Sequence, residues 1–220
     1  MQNQLTGVIL AGGKSRRMGG YNKALLRIGN QTIIQRVLEV LKQVTSSQLL
    51  ITNFPEEYEF LDIPMKPDIL PGKGAFGGIY TGLSASETLY CLVVACDMPF
   101  LNVDFLRYMT QLVKDPVLSE AQGYDIVIPK HGKGYEPLCA IYAKACIPHI
   151  EKLLKSNRLT IIDAFFDIRL RHVSESEIKN YDAEGWMFFN INTQEDYQYA
   201  FRCHGTLQNR NSAKSVWMEH

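Results

Sequence analysis

The chain lacks an excess of either charge: Lys plus Arg number 23 and Asp plus Glu number 23. That balance argues against a strongly basic nucleic-acid binder and leaves room only for a local basic patch. It also lacks any run near the ~20 apolar residues that a membrane helix needs. Met1 to Gln4 carry no positive charge and lead into no long apolar core. No secretory signal is therefore visible, and the expected location is the cytoplasm. Cysteine is sparse and odd in number: Cys91, Cys96, Cys139, Cys146 and Cys203 form no Cys-x-x-Cys pair. Neither a zinc ribbon nor a complete disulfide framework is suggested, and the five read as free thiols in a reducing compartment. His131, His149, His172, His204 and His220 are scattered without ligand spacing. What is there is an ordinary globular mix, 46% apolar and 21% charged over 220 residues. That length fits one large domain or two small ones.

The even charge is unevenly spread. From Met1 to Leu38 every charged side chain is basic: Lys14, Arg16, Arg17, Lys23, Arg27 and Arg36. The first acid is Glu39. Such asymmetry suggests a segment that meets an anion.

Strand and helix patterns alternate along the chain. Leu5 to Leu10 reads as a short buried strand, followed by a glycine-rich loop from Ala11 to Asn22. Ile33, Ile34, Val37, Leu38 and Leu41 recur at helical spacing, with Asn30 as the expected N-cap. Gln48 to Thr52 is a second strand, Pro64 to Gly78 a long loop, and Ile79 to Ser84 a short helix. Tyr90 to Ala95 is a continuous apolar strand, and Asn102 caps a helix bearing Phe105, Leu106, Met109, Leu112 and Val113. Asp125 to Pro129 and Leu138 to Tyr142 are further strands, Ile147 to Leu154 a helix, and Arg169 to Val173 an edge strand. Thr193 to Asp196 has the capping-box pattern and opens a last helix. Apolar strands with helices between them predict an α/β fold, a mostly parallel sheet covered on both faces in three α/β/α layers. Ligands of such sheets gather at the carboxyl ends of the strands, where Ala11 to Lys23, Asn53 and Asp97 fall. Residues 1–201 read as a single domain and 202–220 as a mobile or non-native tail.

The glycine loop fits neither common phosphate template. Gly12, Gly13, Gly19 and Gly20 do not give Gly-x-Gly-x-x-Gly. Gly13-Lys14-Ser15 matches the end of a P-loop, but Val8 stands where its first glycine belongs. The chemistry of the stretch is clear without a template. Glycine lets the backbone come close to a ligand, its N–H groups can line an anion-binding concavity, and Arg and Lys neutralise phosphate.

Leu10-Ala11-Gly12-Gly13-x-Ser15-x-Arg17-Met18-Gly19-x-x-x-Lys23 resembles the opening of the sugar-nucleotide-type nucleotidyltransferases. Within them it is similar to the molybdenum cofactor guanylyltransferases, which join GTP to molybdopterin. Further pieces follow in order: Asn53, Asp68, Gly74 to Ile79, Cys96-Asp97-Met98-Pro99, Glu136-Pro137-Leu138 and Phe189 to Thr193. The likeness spans about residues 5–200. It implies a Rossmann-like nucleotidyltransferase fold, with a nucleotide-binding first half and a molybdopterin-binding second half. It implies that Leu10, Ala11 and Gly12 contact nucleotide through the backbone. Gly13, Arg17 and Lys23 then face phosphates, Asn53 and Asp68 lie at the base and sugar, Gly78 is a further nucleotide-binding position, and Asp97 binds magnesium. Arg17, Lys23 and Asp97 would carry the catalysis. It places molybdopterin near Asn190 and Asn192, whose amides would share one side of a strand, and near Arg158.

Plainer roles stand beside these. Asp97 also suits a turn before Pro99, Arg158 a surface salt bridge, and Asn192 or Thr193 a helix cap. The family's usual Pro-Leu is here Ala75-Phe76, and a larger ring near the base pocket either alters purine selection or only repacks the loop, which bears on guanine specificity more than on the reaction class. Partners implied are GTP, the molybdenum–molybdopterin cofactor, cofactor-biosynthesis proteins and acceptor molybdoenzymes, with no nucleic acid or membrane. Competing readings are a cytidylyltransferase for the same cofactor, another NTP-dependent transferase of this fold, and a non-catalytic nucleotide-binding regulator.

Overall fold

The computed structural model describes residues 5–12, 22–114, 123–132, 134–155 and 168–203. Strand β1 (Leu5–Leu10) comes first, followed by an antiparallel hairpin of β2 (Arg27–Ile28) and β3 (Gln31–Thr32). Helix α1 (Ile33–Lys42), β4 (Ser47–Ile51), β5 (Met65–Lys66), α2 (Gly74–Ala85) and β6 (Tyr90–Ala95) follow. Then come α3 (Val103–Lys114), β7 (Ile126–His131), β8 (Gly134–Tyr135), β9 (Cys139–Ala143) and α4 (Ile147–Lys155). Strand β10 (Leu170–Val173), α5 (Glu175–Lys179) and a last helix, α6, over 194–203 complete the described chain.

The main sheet has the order β10-β7-β9-β6-β1-β4-β5, with β8 paired to β7. Strand β1 lies between β4 and β6 and is parallel to both. Only β9 runs against its neighbours in that order, between β6 and β7. The expected edge strand is β10, parallel to β7.

Apolar residues at consecutive strand positions serve opposite faces, because side chains alternate along a strand. Leu50, Leu92, Val94, Val127 and Ile141 join α1 and α3 in one core. Leu49, Ile51, Cys91, Val93, Ile126 and Tyr142 join α2 and α4 in the other. This is the three-layer α/β/α arrangement with a mostly parallel sheet.

Two local expectations are corrected. Asn30 does not cap α1. Gly29 takes a positive φ of 64° and Asn30 completes the turn between β2 and β3, so the chain re-enters at Thr32. The Thr32 hydroxyl accepts the Gln35 N–H at 3.3 Å while Gln35 Oε1 accepts the Thr32 N–H at 2.8 Å. Nor is Pro64 to Gly78 all loop, since it contains β5 and the first turn of α2. The glycines of α2 concealed that turn, having no side chain to reveal a helical period. They are needed for close approach: a Cβ on Gly82 would stand 2.6 Å from Val8 Cγ1, and one on Gly78 would stand 3.1 Å from Leu10 Cδ1.

The caps expected at Asn102 and Thr193 form. Asn102 Oδ1 accepts the Phe105 N–H at 3.0 Å, and Thr193 and Asp196 bond reciprocally. The expected tail begins inside α6, and residues 204–220 lie outside the described residues. All five cysteines are free thiols, four buried and Cys203 partly exposed. Burial raises Cys91, Cys96 and Cys139 and pushes Cys146 up to about 12.

Where β10, α3 and α5 meet, Glu177 receives Arg171, the Tyr108 hydroxyl and, at 2.8 Å, the Ser174 N–H. Burial by itself would raise this carboxyl. The hydrogen bonds from Arg171, Ser174 and Tyr108 outweigh it and hold the group at about 2, below the ordinary 4.5. Its contribution to stability is present above pH 4.5 and is lost as pH falls toward about 2. Glu177→Gln should lower the thermal midpoint near neutral pH by a few degrees, and the gap from wild type should close in a titration down to about pH 2. Gly82→Ala should cost about 2 kcal/mol, read from the urea midpoint, with partial recovery when Val8→Ala is added.

Candidate active site

The polar groups of β1, β4 and β6 become available only where the strands end. There a cleft of about 530 Å3 opens, within the range of small-molecule sites. Its wall includes Leu10 at the end of β1 and Gly12 just after it, Asn53 after β4, and Asp97 after β6. Asp68 and the start of α2, with Gly78, close the other side. The sheet holds the crevice taut beyond the strand ends: Ala11 N–H donates to Ile51 O at 2.9 Å, and Cys96 N–H to Leu10 O at 3.3 Å. Ala11 is buried, with its N–H engaged in this way, while Gly12 is exposed, and a Cβ on it would meet nothing within 4 Å among the described residues.

Asn53 and Asp68 form one unit. Asn53 Oδ1 accepts the Asp68 N–H at 2.9 Å, and among the described residues its Nδ2 hydrogens have no partner. Asp68 Oδ1 accepts the Leu70 N–H at 2.9 Å and the Thr81 hydroxyl at 3.1 Å. Gly77 lets α2 come this close, because a Cβ there would stand 2.7 Å from Leu70 O and 3.1 Å from Asp68 Oδ2. Ala75 lines the cleft, whereas Phe76 is 4% exposed and packs in the core beneath α2. The larger ring therefore does not line the cleft.

Asp97 is half-buried at the carboxyl end of β6. Burial raises its carboxyl above the usual range, and its own N–H and the Lys23 charge pull the other way. Lys23 does not line the cleft but lies close enough for its charge to act on Asp97. It stands in a turn capped by Asn22, whose Oδ1 accepts the Ala24 N–H at 3.1 Å. Asn22 Nδ2 also donates to Glu57 and, at 2.7 Å, to the Tyr58 hydroxyl. Asn22 thereby anchors the far end of the glycine-rich loop. An Asn preceding Lys-Ala-Leu was the available sequence signal, and it was missed.

Lys23 is only 6% exposed, and its Nζ donates to Asn192 Oδ1 at 3.3 Å. Residues 189–192 are not a strand, so the expected alternation fails. Ile191 is held instead by its N–H to Asp97 O at 3.1 Å and by apolar packing among Ile28, Ile33 and Ala200. Asn190 turns back on its own loop, donating to Phe188 O at 3.0 Å. Gly13, Arg17 and Arg158 lie outside the described residues. Gly72 and Leu138 also line the cleft, the former foreshadowed by its Pro71-Gly72 turn.

Residues 7–172 match the family model described as the MobA-like NTP transferase domain. The chain belongs to the MobA-like NTP transferases. It is 39% identical over 193 residues to a probable molybdenum cofactor guanylyltransferase of Pelotomaculum thermopropionicum, covering 88% of this chain and 90% of that one. It is 34% identical to a molybdenum cofactor guanylyltransferase of Desulfosudis oleivorans, covering 89% and 94%. In structure it resembles the molybdopterin-guanine dinucleotide biosynthesis protein A of Archaeoglobus fulgidus, with a TM-score of 0.74 and 25% identity over 91% of this chain and 99% of that one. In this MobA-like NTP transferase, the Asn53–Asp68 unit and Asp97 face one cleft from opposite sides of β1.

Gly77→Ala tests the Asp68 wall. It should weaken nucleoside triphosphate binding about tenfold in a calorimetric titration, because the added methyl displaces the carboxylate.

Proposed function

We propose that this protein transfers GMP from GTP to the molybdenum–molybdopterin cofactor, yielding its guanine dinucleotide form and pyrophosphate. The observation that carries this reading is the cleft at the carboxyl ends of β1, β4 and β6, in a chain that aligns with guanylyltransferases over nearly its whole length. The terminal phosphate of the acceptor attacks the α-phosphorus of GTP. A phosphorus–oxygen bond forms there as the α–β anhydride bond breaks, and its electron pair leaves on pyrophosphate. The attacking phosphate is already anionic, so no strong base is required. The chain's task is alignment and charge stabilisation.

Asn53 and Asp68 would hold the nucleoside, with the backbone of Leu10, Ala11 and Gly12 and the approach allowed by Gly78 at its side. Lys23, with Gly13 and Arg17 of the loop, would face the phosphates. Asn190, Asn192 and Arg158 would receive the acceptor. Asp97 suits magnesium because it offers hard carboxylate oxygens at the cleft. A site of one carboxylate completed by phosphates and water is the habit of that ion. When bound, magnesium would supply positive charge against the phosphates. Among the described residues no helix is long and apolar enough to cross a membrane. We place the enzyme in the cytoplasm, working with cofactor-biosynthesis proteins and acceptor molybdoenzymes.

Pyrophosphate release from GTP and from CTP, each with magnesium and molybdopterin cofactor, tests the reading. GTP should be preferred, and a preference for CTP would overturn it. Asp97→Asn should cut turnover by at least about a thousandfold. The same change should leave the metal-free protein as stable as wild type or slightly more so in thermal melts, because it relieves a half-buried charge.

A further inference from the structure

Lys23 carries its ammonium on a flexible four-carbon stem, so its position depends on what holds Nζ. Among the described residues its hydrogen-bond partner is Asn192 Oδ1. Asn192 is itself exposed and belongs to a segment without helix or strand, so no ladder fixes its backbone. Two contacts do. Upstream, Ile191 donates its N–H to Asp97 O and buries its side chain completely. Downstream, one oxygen of Asp196, Oδ2, accepts both the Asn192 N–H at 2.9 Å and the Thr193 N–H at 2.8 Å.

We propose that Asp196 is a positioning residue of the transferase, fixing Asn192 so that its amide holds the Lys23 ammonium in place. This rests on the guanylyltransferase reading of the site. Asp196 touches neither cleft nor Lys23 by hydrogen bond, and it acts through the two peptide groups it clamps. Charge-assisted bonds to two successive N–H groups hold a backbone more firmly than neutral ones. Loss of the clamp releases Asn192, and Lys23 then samples rotamers away from the phosphates.

A helix cap alone would explain the same carboxylate, and the two roles separate by substitution. The Asp196 N–H donates to Thr193 Oγ1 at 3.1 Å. Thr193→Ala therefore removes the other half of the cap while leaving the Asn192 N–H bonded. Purified full-length variants are compared by kcat and KM with GTP, magnesium and molybdopterin cofactor, by calorimetric GTP affinity, and by thermal midpoint. Asp196→Ala should lower kcat/KM about tenfold or more and weaken GTP binding. Thr193→Ala should lose comparable thermal stability yet stay within about twofold of wild-type activity. Asp196→Asn, whose amide oxygen still accepts both N–H groups, should recover most of the activity. Combined with Asn192→Ala, Asp196→Ala should add no further loss in kcat/KM. The proposal is overturned if Asp196→Ala retains wild-type kcat/KM, if Thr193→Ala matches its loss, or if the two losses multiply. Should wild type bind GTP without releasing pyrophosphate, the guanylyltransferase reading fails. The calorimetric comparison then still decides the role of Asp196, since unchanged affinity in Asp196→Ala would refute it.

Discussion

Strand β1 is paired along both edges and covered on both faces, so its carboxyl end is the place where it can meet a ligand. The same holds for the ends of its neighbours β4 and β6. Burial thus concentrates the chemistry at one rim of the sheet. The order of strands reverses around β1, and the crevice opens at that reversal, as it does in other sheets of this type. Leu10, Gly12, Asn53 and Asp97 line the cleft because of this geometry. Asn53 and Asp97 arrive from opposite sides of β1 because their strands flank it in register.

Helix α2 shows what the crevice costs in local propensity. Glycine weakens a helix, yet α2 carries glycine where it lies against Val8, Leu10 and the Asp68 turn. Close packing there outweighs intrinsic preference. The adjacent Ala75-Phe76 pair divides its labour, with the small residue facing the cleft and the large one filling the core. A bulky residue near a pocket in sequence need not be near it in space.

The parts readable from sequence are those where one physical signal acts alone. Short, mostly apolar segments revealed β1 and β6 and the parallel sheet they imply. The rim positions Asn53 and Asp97 followed from where those runs stop. The reading failed where two signals compete. Asn30 is a good cap residue, but the hairpin claimed it for a turn and left Thr32 to start α1. Asn190 and Asn192 alternate like strand residues, but packing of Ile191 between α1 and α6 dictates an irregular path. The contact of Lys23 with Asn192 joins residues 169 apart and could come only from the folded chain.

The distribution of thiols has a practical side. Cys91, Cys96, Cys139 and Cys146 are sealed in the interior and held protonated, so an alkylating reagent finds no thiolate among them. Cys203 sits partly open at the end of α6, the helix whose first turn steadies Asn192. The wild-type chain therefore offers one natural attachment point for a fluorophore, and the dye would report on that helix without any engineered cysteine.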